Sequence, residues 1–191
     1  MVLCHSRMMY LEFTVSQTLE HFLTCHQRAF EFFQGVPQKI MVDNLKSAVL
    51  QRPTGQEPVY QPRYLDLSRH CGFTIRPCGV GKGNEKGRVE NAVGYVKKNF
   101  LNGLDIPDFR MLNPAGRLWL DTVANVRVHG HTRRKPAERF AEERAQLRPL
   151  PAVPYDGARV VPVRATNRFR VTFETICGVQ EYVECVVEEH P

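Results

Sequence analysis

The stretch "FEFFQGVPQKIMVDN", residues 30–44, contains the change of pattern on which the fold prediction rests. Apolar residues recur at helical spacing before it, which predicts a helix that starts at Thr14 and ends at Gly35 and Pro37. "KIMV" (39–42) is then a short apolar run typical of a buried strand, and it continues directly into Asp43. A helix followed at once by a buried strand predicts an α/β domain.

The segments on either side extend this pattern. Residues 2–14 predict a tight β-hairpin, with strands "VLCH" and "MMYLEFT". After a proline-rich loop at 51–62, "RYLDLSRHC" predicts a helix that starts at Pro62 and ends at Gly72, and "FTIRPC" predicts a strand. Further helices are predicted at 83–100, from Asn113 and Pro114 onward, and at "AERFAEERAQL". The order predicts a mixed sheet flanked by helices, with the hairpin at its edge.

The end of the chain differs in composition from this α/β part. "RPLPAVP" predicts a proline-rich linker, so we expect one domain over residues 1–150 and a second segment over 151–191. The second segment contains "ARVVPVRA", "RFRVTFET" and "EYVECVVE", which predict a small β unit.

The charge of the chain is unevenly distributed. The net charge is +6 over 191 residues, but residues 1–170 contain 26 basic and 15 acidic residues, a net charge of +11. This positive charge over residues 1–170 indicates either a polyanionic partner, most often nucleic acid, or a solvated basic surface.

The cysteines and the apolar runs limit the possible class of protein. The six cysteines include no CxxC pair, which argues against a zinc site or a disulfide framework and indicates small apolar residues in a reducing compartment. No run approaches 18 apolar residues, and the first residues do not form a signal peptide, so we expect a cytoplasmic protein without a membrane partner.

Two stretches that look like ligand-binding motifs do not match the patterns of such motifs. The loop "GVGKGNEKG" fits neither the P-loop nor the dinucleotide-binding pattern, which leaves a basic loop before a helix. His129 and His131 lack a third ligand at metal-site spacing, so a structural role or a phosphate contact is the expectation.

Two acidic residues are the candidates for chemistry. In the helix at 83–100, Val89, Val93, Val96 and Phe100 predict the core face, and Glu90 lies beside it. The alternative for Glu90 is an ion pair with Lys86 one turn earlier.

Asp43 follows the apolar strand at the sheet edge where α/β proteins bind ligands. The alternative interpretation of Asp43 is that its side chain caps a turn or a helix. Together, a strand-end Asp and a helix-borne Glu in a basic domain indicate phosphoryl transfer that depends on a divalent metal.

Three longer stretches resemble one family. "VDNLKSAV" (42–49), "GKGNEKGRVENAVGYVKKNFL" (81–101) and "KPAERFAEE" (135–143) closely resemble the integrase catalytic core of IstA-type bacterial insertion-sequence transposases. These belong to the DDE superfamily that includes retroviral integrases. The resemblance covers about residues 1–150 and implies an RNase H-like fold with a D-D-E triad.

The resemblance assigns roles to individual residues. It implies that Asp43 is the second acid and Glu90 the third, and that they bind two Mg²⁺ ions, with Mn²⁺ as a substitute. The metal would activate water to cut the element's ends and then the freed 3′-hydroxyl to attack target DNA. The implied phosphate contacts are Lys82, Lys86, Arg88, Lys97 and Lys98. The implied partners are double-stranded DNA, further transposase subunits in a homo-oligomer and an ATP-dependent helper protein.

The chain departs from the family at both ends. The family's first Asp lies on a strand before the hairpin, which here would precede Met1, and Glu12 is no replacement because it lies near the end of the hairpin. "ICGVQEYVECVVEEHP" departs from the family's small β-barrel, so the C-terminal β unit is expected to be incomplete. We therefore expect a truncated copy with little or no strand-transfer activity. The alternatives are a non-catalytic DNA-binding remnant that modulates full-length transposase, and a small-molecule metal hydrolase of the same fold.

Overall fold

The structure is a computed structural model that describes residues 1–42, 47–51, 56–78, 91–105, 108–157, 170–174 and 180–184. The chain divides into two compact units, Met1–Gly157 and Ala158–Pro191. The first unit is a mixture of helices and short strands that includes a small parallel sheet.

The N-terminal segment reverses direction within its first ten residues. Val2 and Met9 form an isolated antiparallel bridge, and the Leu3 amide donates to the Met8 carbonyl oxygen at 2.9 Å. Arg7 takes the left-handed conformation (φ 65°) that closes the turn. The Tyr10 amide also donates to the Met1 carbonyl oxygen at 2.8 Å. The predicted tight reversal is confirmed, but residues 11–14 are not in strand conformation, so the second strand does not continue to Thr14 as predicted.

Helix α1 spans Leu19–Phe33, and its start differs from the prediction. The N-cap is Thr18, whose side chain accepts a hydrogen bond from the His21 amide, and not Thr14. The helix ends at Gln34, which adopts the left-handed conformation usual at helix ends. The buried side of α1 includes Leu23, Phe30 and Phe33, as the helical spacing predicts.

The central part of the first unit follows the predicted order. Strand β1 spans Lys39–Val42, helix α2 spans Pro62–Cys71 with Gly72 as its left-handed C-cap, and strand β4 spans Thr74–Pro77. Between them lie β2, Val49–Gln51, and β3, Val59–Tyr60, a short antiparallel pair that the predicted loop at 51–62 did not anticipate. Strands β1 and β4 pair in parallel, as a connection through a helix requires.

One apolar cluster joins these elements. Leu23 and Phe30 of α1 and Tyr64 and Leu67 of α2 pack with the inward residues of the parallel sheet, such as Ile75. Within β1 and β4 the exposed and buried residues alternate, so the described helices cover one face of the sheet.

The second half of the first unit is helical. Helix α3 covers residues 91–96 and continues as a wider π-helical turn, Lys97–Leu101. A 3₁₀ turn, Phe109–Met111, leads into α4, Leu112–Trp119, which also continues as a π-helical segment, Leu120–Ala124. A second apolar cluster forms between these helices and the N-terminal segment; its buried members are Met9, Val96, Phe100, Trp119, Leu120 and Ala124.

The proline-rich segment packs against the first unit. Helix α5 spans Pro136–Glu143 and is followed by a 3₁₀ turn, Arg144–Gln146. Arg148 then forms an isolated antiparallel bridge with Val36. Farther along, the Tyr155 hydroxyl donates to Asp66 of α2 at 3.1 Å. The residues up to 157 therefore belong to the first unit, and "RPLPAVP" is not a free linker.

The bridge between Val36 and Arg148 requires a small residue at position 35. A Cβ added to Gly35 would lie 2.8 Å from the Leu147 Cβ and 3.0 Å from the Arg148 carbonyl oxygen. We expect Gly35→Ala to lower the free energy of unfolding by about 2 kcal/mol, because the two segments must separate to admit the methyl group. Urea denaturation measures this change.

Gly94 of α3 is the matched control, since an added Cβ there meets no atom within 4 Å. Gly94→Ala should leave the protein equally stable or stabilise it by up to about 1 kcal/mol. Equal stability of Gly35→Ala and the parent would show that the contact between these segments is not close in solution.

In the second unit, β5, Arg170–Glu174, pairs antiparallel with β6, Gln180–Glu184. These correspond to two of the strands that the sequence predicts. The first predicted strand, "ARVVPVRA", lies outside the described residues.

Candidate functional site

The parallel sheet brings two strand ends to the same edge. Val42, the last residue of β1, lies opposite Pro77, the last residue of β4, and the Cys78 amide donates to the Val42 carbonyl oxygen at 3.0 Å. Carboxyl ends of parallel strands are where α/β proteins place ligand-binding side chains. The next residue after Val42 is Asp43, which lies outside the described residues.

Of the other predicted site residues, some lie in the described part of the chain and the rest do not. Lys97 and Lys98 lie on the π-helical turn after α3, and both are exposed, as a phosphate contact requires. Lys82, Lys86, Arg88 and Glu90 lie outside the described residues. Their roles therefore stay predictions.

The predicted core face of α3 is partly wrong. Val96 and Phe100 are buried, but Val93 is 48 % exposed, and Ala92 and Tyr95 pack against the core in its place. Because Val93 does not face the core, the helical spacing does not place Glu90 beside a core face, and the predicted role of Glu90 depends on the family resemblance.

Aromatic contacts fix α3 in place. The Trp119 ring of α4 lies 5.4 Å from the Tyr95 ring and 5.3 Å from the Phe100 ring, measured between centroids. Phe100 also stacks on Phe13 of the N-terminal segment at 5.9 Å. Pairs of this kind stabilise beyond the area they bury, so the helix that precedes Lys97 is well anchored.

Two asparagines position the N-terminal segment against the helices. The Asn125 side chain accepts from the Met9 amide at 2.9 Å and donates to the Met9 carbonyl oxygen at 3.0 Å. Asn113 makes the same pair of bonds with Phe13, at 2.7 and 2.9 Å. Each side-chain amide thus makes the two backbone hydrogen bonds that a neighbouring strand would otherwise make. Sequence reasoning assigned neither role to them, and treated Asn113 as a helix start.

A third contact from the same region holds the turn itself. The two carboxylate oxygens of Glu143 in α5 accept from the His5 and Ser6 amides at 3.2 and 2.9 Å. The three side chains together attach the hairpin to α4 and α5.

Glu12 is engaged in its own network beside a cavity of about 370 Å³. It accepts from the Tyr10 hydroxyl at 2.6 Å and pairs with Arg28. Burial alone would raise the pKa of Glu12, but the hydrogen bonds from Tyr10, Arg28 and Cys25 outweigh it and hold the pKa below its usual range. Glu12 is therefore a paired structural carboxylate, consistent with its exclusion as a replacement acid.

Cys25, Cys71 and the histidine pair have surroundings typical of structural residues. Burial raises the pKa of the Cys25 thiol to about 12 and that of Cys71 to about 11, which keeps both thiols protonated near neutral pH. The His129 Nδ1 atom lies 3.3 Å from the His131 amide and 3.5 Å from the Thr132 amide, which are oriented to donate to it within a turn. Among the described residues no three His, Cys, Asp or Glu side chains form a metal-binding group.

Comparison with known proteins identifies the relatives of the chain. It is 36 % identical to a putative transposase for insertion sequence element IS5376 of Geobacillus stearothermophilus, over 80 % of this chain and 37 % of the relative. It is 32 % identical to a transposase for an IS21-like insertion sequence element of Bacteroides fragilis, over 93 % of this chain and 35 % of the relative. It is 33 % identical to the transposase for insertion sequence element IS21 of Pseudomonas aeruginosa, over 79 % of this chain and 39 % of the relative. The chain is a homologue of the IS21-family transposases.

The matches also define what part of such a transposase this is. The transposase homologue spans little more than a third of the length of these relatives. A match over 80 % of 191 residues necessarily includes the segment from Asp43 to Glu90. The match over 93 % of the chain extends beyond Gly157 into the second unit.

Two further comparisons complete the description of this transposase homologue. No family model matches it. A cryo-EM structure of the simian T-cell lymphotropic virus intasome in complex with PP2A regulatory subunit B56 gamma aligns with 90 % of the chain and 63 % of that structure's chain, with 16 % identity and a TM-score of 0.48. None of the helices in the described part of the chain is both long and apolar enough to span a membrane.

Proposed function

We propose that this chain is a segment of the RNase H-like catalytic core of an insertion-sequence transposase, the class of enzyme that cleaves and joins DNA during transposition. The observation that carries the proposal is the identity of 32–36 % to IS21-type transposases across the segment that contains Asp43 and Glu90. The parallel pair β1 and β4 supports it, because the strand that leads into Asp43 ends at a ligand-binding edge.

Asp43 and Glu90 are the proposed ligands of Mg²⁺. Carboxylate oxygens are the donors that Mg²⁺ prefers, and a strand end and a helix can hold two carboxylates in a fixed relation. Bound Mg²⁺ would supply charge neutralisation and activation of the attacking oxygen. The protein's own contribution is to orient the carboxylates and to bind the DNA backbone beside them.

The basic residues near this site are the proposed phosphate contacts. Lys97 and Lys98 are exposed on a helix anchored by aromatic packing, and Lys82, Lys86 and Arg88 precede them in sequence. Contacts to phosphate add affinity without reading sequence. The proposed partners are the DNA of the element ends and target, other transposase subunits and an ATP-dependent helper.

Metal binding tests the proposal directly. Titration of the chain with Mn²⁺, followed by electron paramagnetic resonance, should show a bound ion, because Mn²⁺ accepts the same oxygen ligands as Mg²⁺. Asp43→Asn and Glu90→Gln should each weaken this binding at least tenfold, since each removes one anionic ligand. Any cleavage of labelled element-end DNA should require the metal and disappear in both variants.

Asp121→Asn, which removes an exposed carboxylate from the π-helical segment after α4, is the matched control and should bind Mn²⁺ like the parent. Equal Mn²⁺ affinity in the parent and both site variants would contradict the proposal. DNA binding without any metal site would instead favour the non-catalytic DNA-binding protein.

A further inference from the structure

A second group of basic residues, separate from the predicted site residues in the sequence, lies at the turn between α4 and α5. We define the basic turn as residues 127–135, "RVHGHTRRK". We propose that the basic turn, with Arg139 of α5, contacts the phosphate backbone of double-stranded DNA. The inference rests on the proposed function, because it assumes that DNA is the partner of this chain.

The basic turn has a fixed shape. The His129 amide donates to the Arg134 carbonyl oxygen at 3.1 Å, and the Arg133 amide donates back to the His129 carbonyl oxygen at 2.8 Å. Arg133 takes the left-handed conformation (φ 54°), and its side chain is exposed. These two backbone hydrogen bonds close the turn and present the Arg133 side chain at its surface.

Arg127 is held at the base of the turn by α3. Its guanidinium carbon lies 3.9 Å from the centroid of the Tyr95 ring, and the side chain donates to the Ala124 carbonyl oxygen. Tyr95 precedes Lys98 by three residues on the same helix, a spacing that places the two on neighbouring positions of the helix surface. Arg127 therefore connects the basic turn to α3, the helix that precedes Lys97 and Lys98.

Arg139 lies on the other side of the turn. Its Nε atom donates to the His5 carbonyl oxygen at 3.1 Å, and a terminal nitrogen lies 3.2 Å from the His5 ring. The guanidinium is therefore positioned by the hairpin, although part of its surface is accessible. A positioned arginine loses less conformational entropy when it binds a phosphate.

The positive charge of this surface is only partly compensated. Glu138 and Glu142 pair with Lys135 and Arg134, and the carboxylate of Glu143 accepts from backbone amides. Within the described residues, no carboxylate lies within ion-pair distance of Arg127, Arg133 or Arg139. Burial and the surrounding positive charges of Arg127, Arg7, His131 and Arg139 lower the pKa of His129, which agrees with a cationic cluster.

Phosphodiester groups are the partner chemistry that fits best. Arginine guanidinium groups bind phosphate through two parallel hydrogen bonds, and Arg127, Arg133 and Arg139 are the basic residues here that have no described carboxylate within ion-pair distance. An acidic protein surface is the other polyanion that this charge could attract, and it becomes an outcome of the test.

The experiment measures binding of the full chain to a labelled 30-base-pair duplex of arbitrary sequence, in buffer with EDTA, over a series of salt concentrations. The double variant Arg133→Gln/Arg139→Gln should bind about tenfold more weakly at 0.1 M salt. The slope of log K against log salt should decrease by roughly two, because each lost phosphate contact releases about one counterion fewer.

The control is Arg69→Gln/Arg110→Gln, which removes two exposed arginines from α2 and from the 3₁₀ turn before α4. It has the same net charge as the test variant and should retain a binding constant and slope close to those of the parent. Equal losses in both double variants would overturn the proposal, since net charge alone would then explain binding. Binding unchanged in the test variant would overturn it as well.

Single variants of Arg133 and binding of a second polyanion complete the test. Arg133→Gln alone changes an exposed side chain, so it gives the answer if the double variant fails to fold, and Arg133→Lys should retain most of the affinity. If polyglutamate binds through the same arginines and duplex DNA does not, the partner is an acidic protein and the proposal fails. Since EDTA removes divalent metal ions, the result does not depend on metal binding by Asp43 and Glu90. The metal site can therefore be disproved without disproving this DNA-binding surface, and the surface can be disproved without disproving the metal site.

Discussion

Asn125→Ala should lower the free energy of unfolding by about 3 kcal/mol, because it leaves two backbone groups of Met9 buried without partners. Asn125 is 2 % exposed and Met9 is 4 % exposed, so water cannot replace the lost bonds. Each buried group left unsatisfied costs about 1–3 kcal/mol. The result should be visible in urea denaturation as a lower midpoint with an unchanged slope.

The position of Asn125 explains why the effect should be large. Its carbonyl oxygen accepts from the Ala137 amide at 2.9 Å at the start of α5, while its side chain bonds to the N-terminal segment. One residue therefore links the end of α4, the start of α5 and the hairpin. We also expect the first residues of Asn125→Ala to become more susceptible to proteolysis, because their attachment to the helices is weakened.

Two further variants separate hydrogen bonding from side-chain volume. Asn125→Asp retains the acceptor for the Met9 amide but loses the donor to the Met9 carbonyl oxygen, so it should remain destabilised at neutral pH by about 2 kcal/mol. Asn99→Ala removes an exposed side chain from the π-helical turn and should change stability by less than about 0.5 kcal/mol. If Asn125→Ala and Asn99→Ala were equally stable, the side-chain amide would not be holding the segment.

Acid should destabilise the first unit between pH 6.5 and 4 through the buried histidine His26. Its Nδ1 atom lies 2.8 Å from the Phe22 carbonyl oxygen, and its Nε2 atom lies 3.2 Å from the Tyr64 hydroxyl. With a proton on Nδ1 the neutral ring donates to the first and accepts from the second, so both bonds are satisfied without charge. Burial lowers the pKa of His26 from 6.5 to about 4 in the folded protein.

The direction of the effect follows from this shift. Because the folded protein binds the proton less tightly than the unfolded chain, protonation favours unfolding. The contribution of neutral His26 to the free energy of unfolding is complete above about pH 6.5 and is lost progressively as the pH falls towards 4. The shift corresponds to about 3 kcal/mol, since one pKa unit is worth about 1.4 kcal/mol.

Urea denaturation at several pH values measures this dependence. The part between pH 6.5 and 5 is the most informative, because few carboxylates titrate there. His26→Gln should be less stable than the parent at pH 7, but its stability should vary less over this interval. An undiminished loss of stability in His26→Gln would assign the acid sensitivity to other groups.

The sequence determined the local elements wherever their signals are contained in a few neighbouring residues. "KIMV", Pro62 to Gly72 and "FTIRPC" gave correct predictions, since apolar runs, proline at a helix start and glycine at a helix end act through local backbone geometry. The motifs around Asp43 and Glu90 likewise indicated the transposase relationship, which the comparisons confirm.

The tertiary structure alone decided which side of α3 faces the core and what holds the N-terminal segment. Val93 and Tyr95 both fit a helix, and only the position of Trp119 shows that Tyr95 packs inward. Asn125 and Met9 are 116 residues apart, so no local pattern could link them. Local propensities follow from the chemistry of neighbouring residues, whereas a buried hydrogen bond depends on where distant parts of the chain meet.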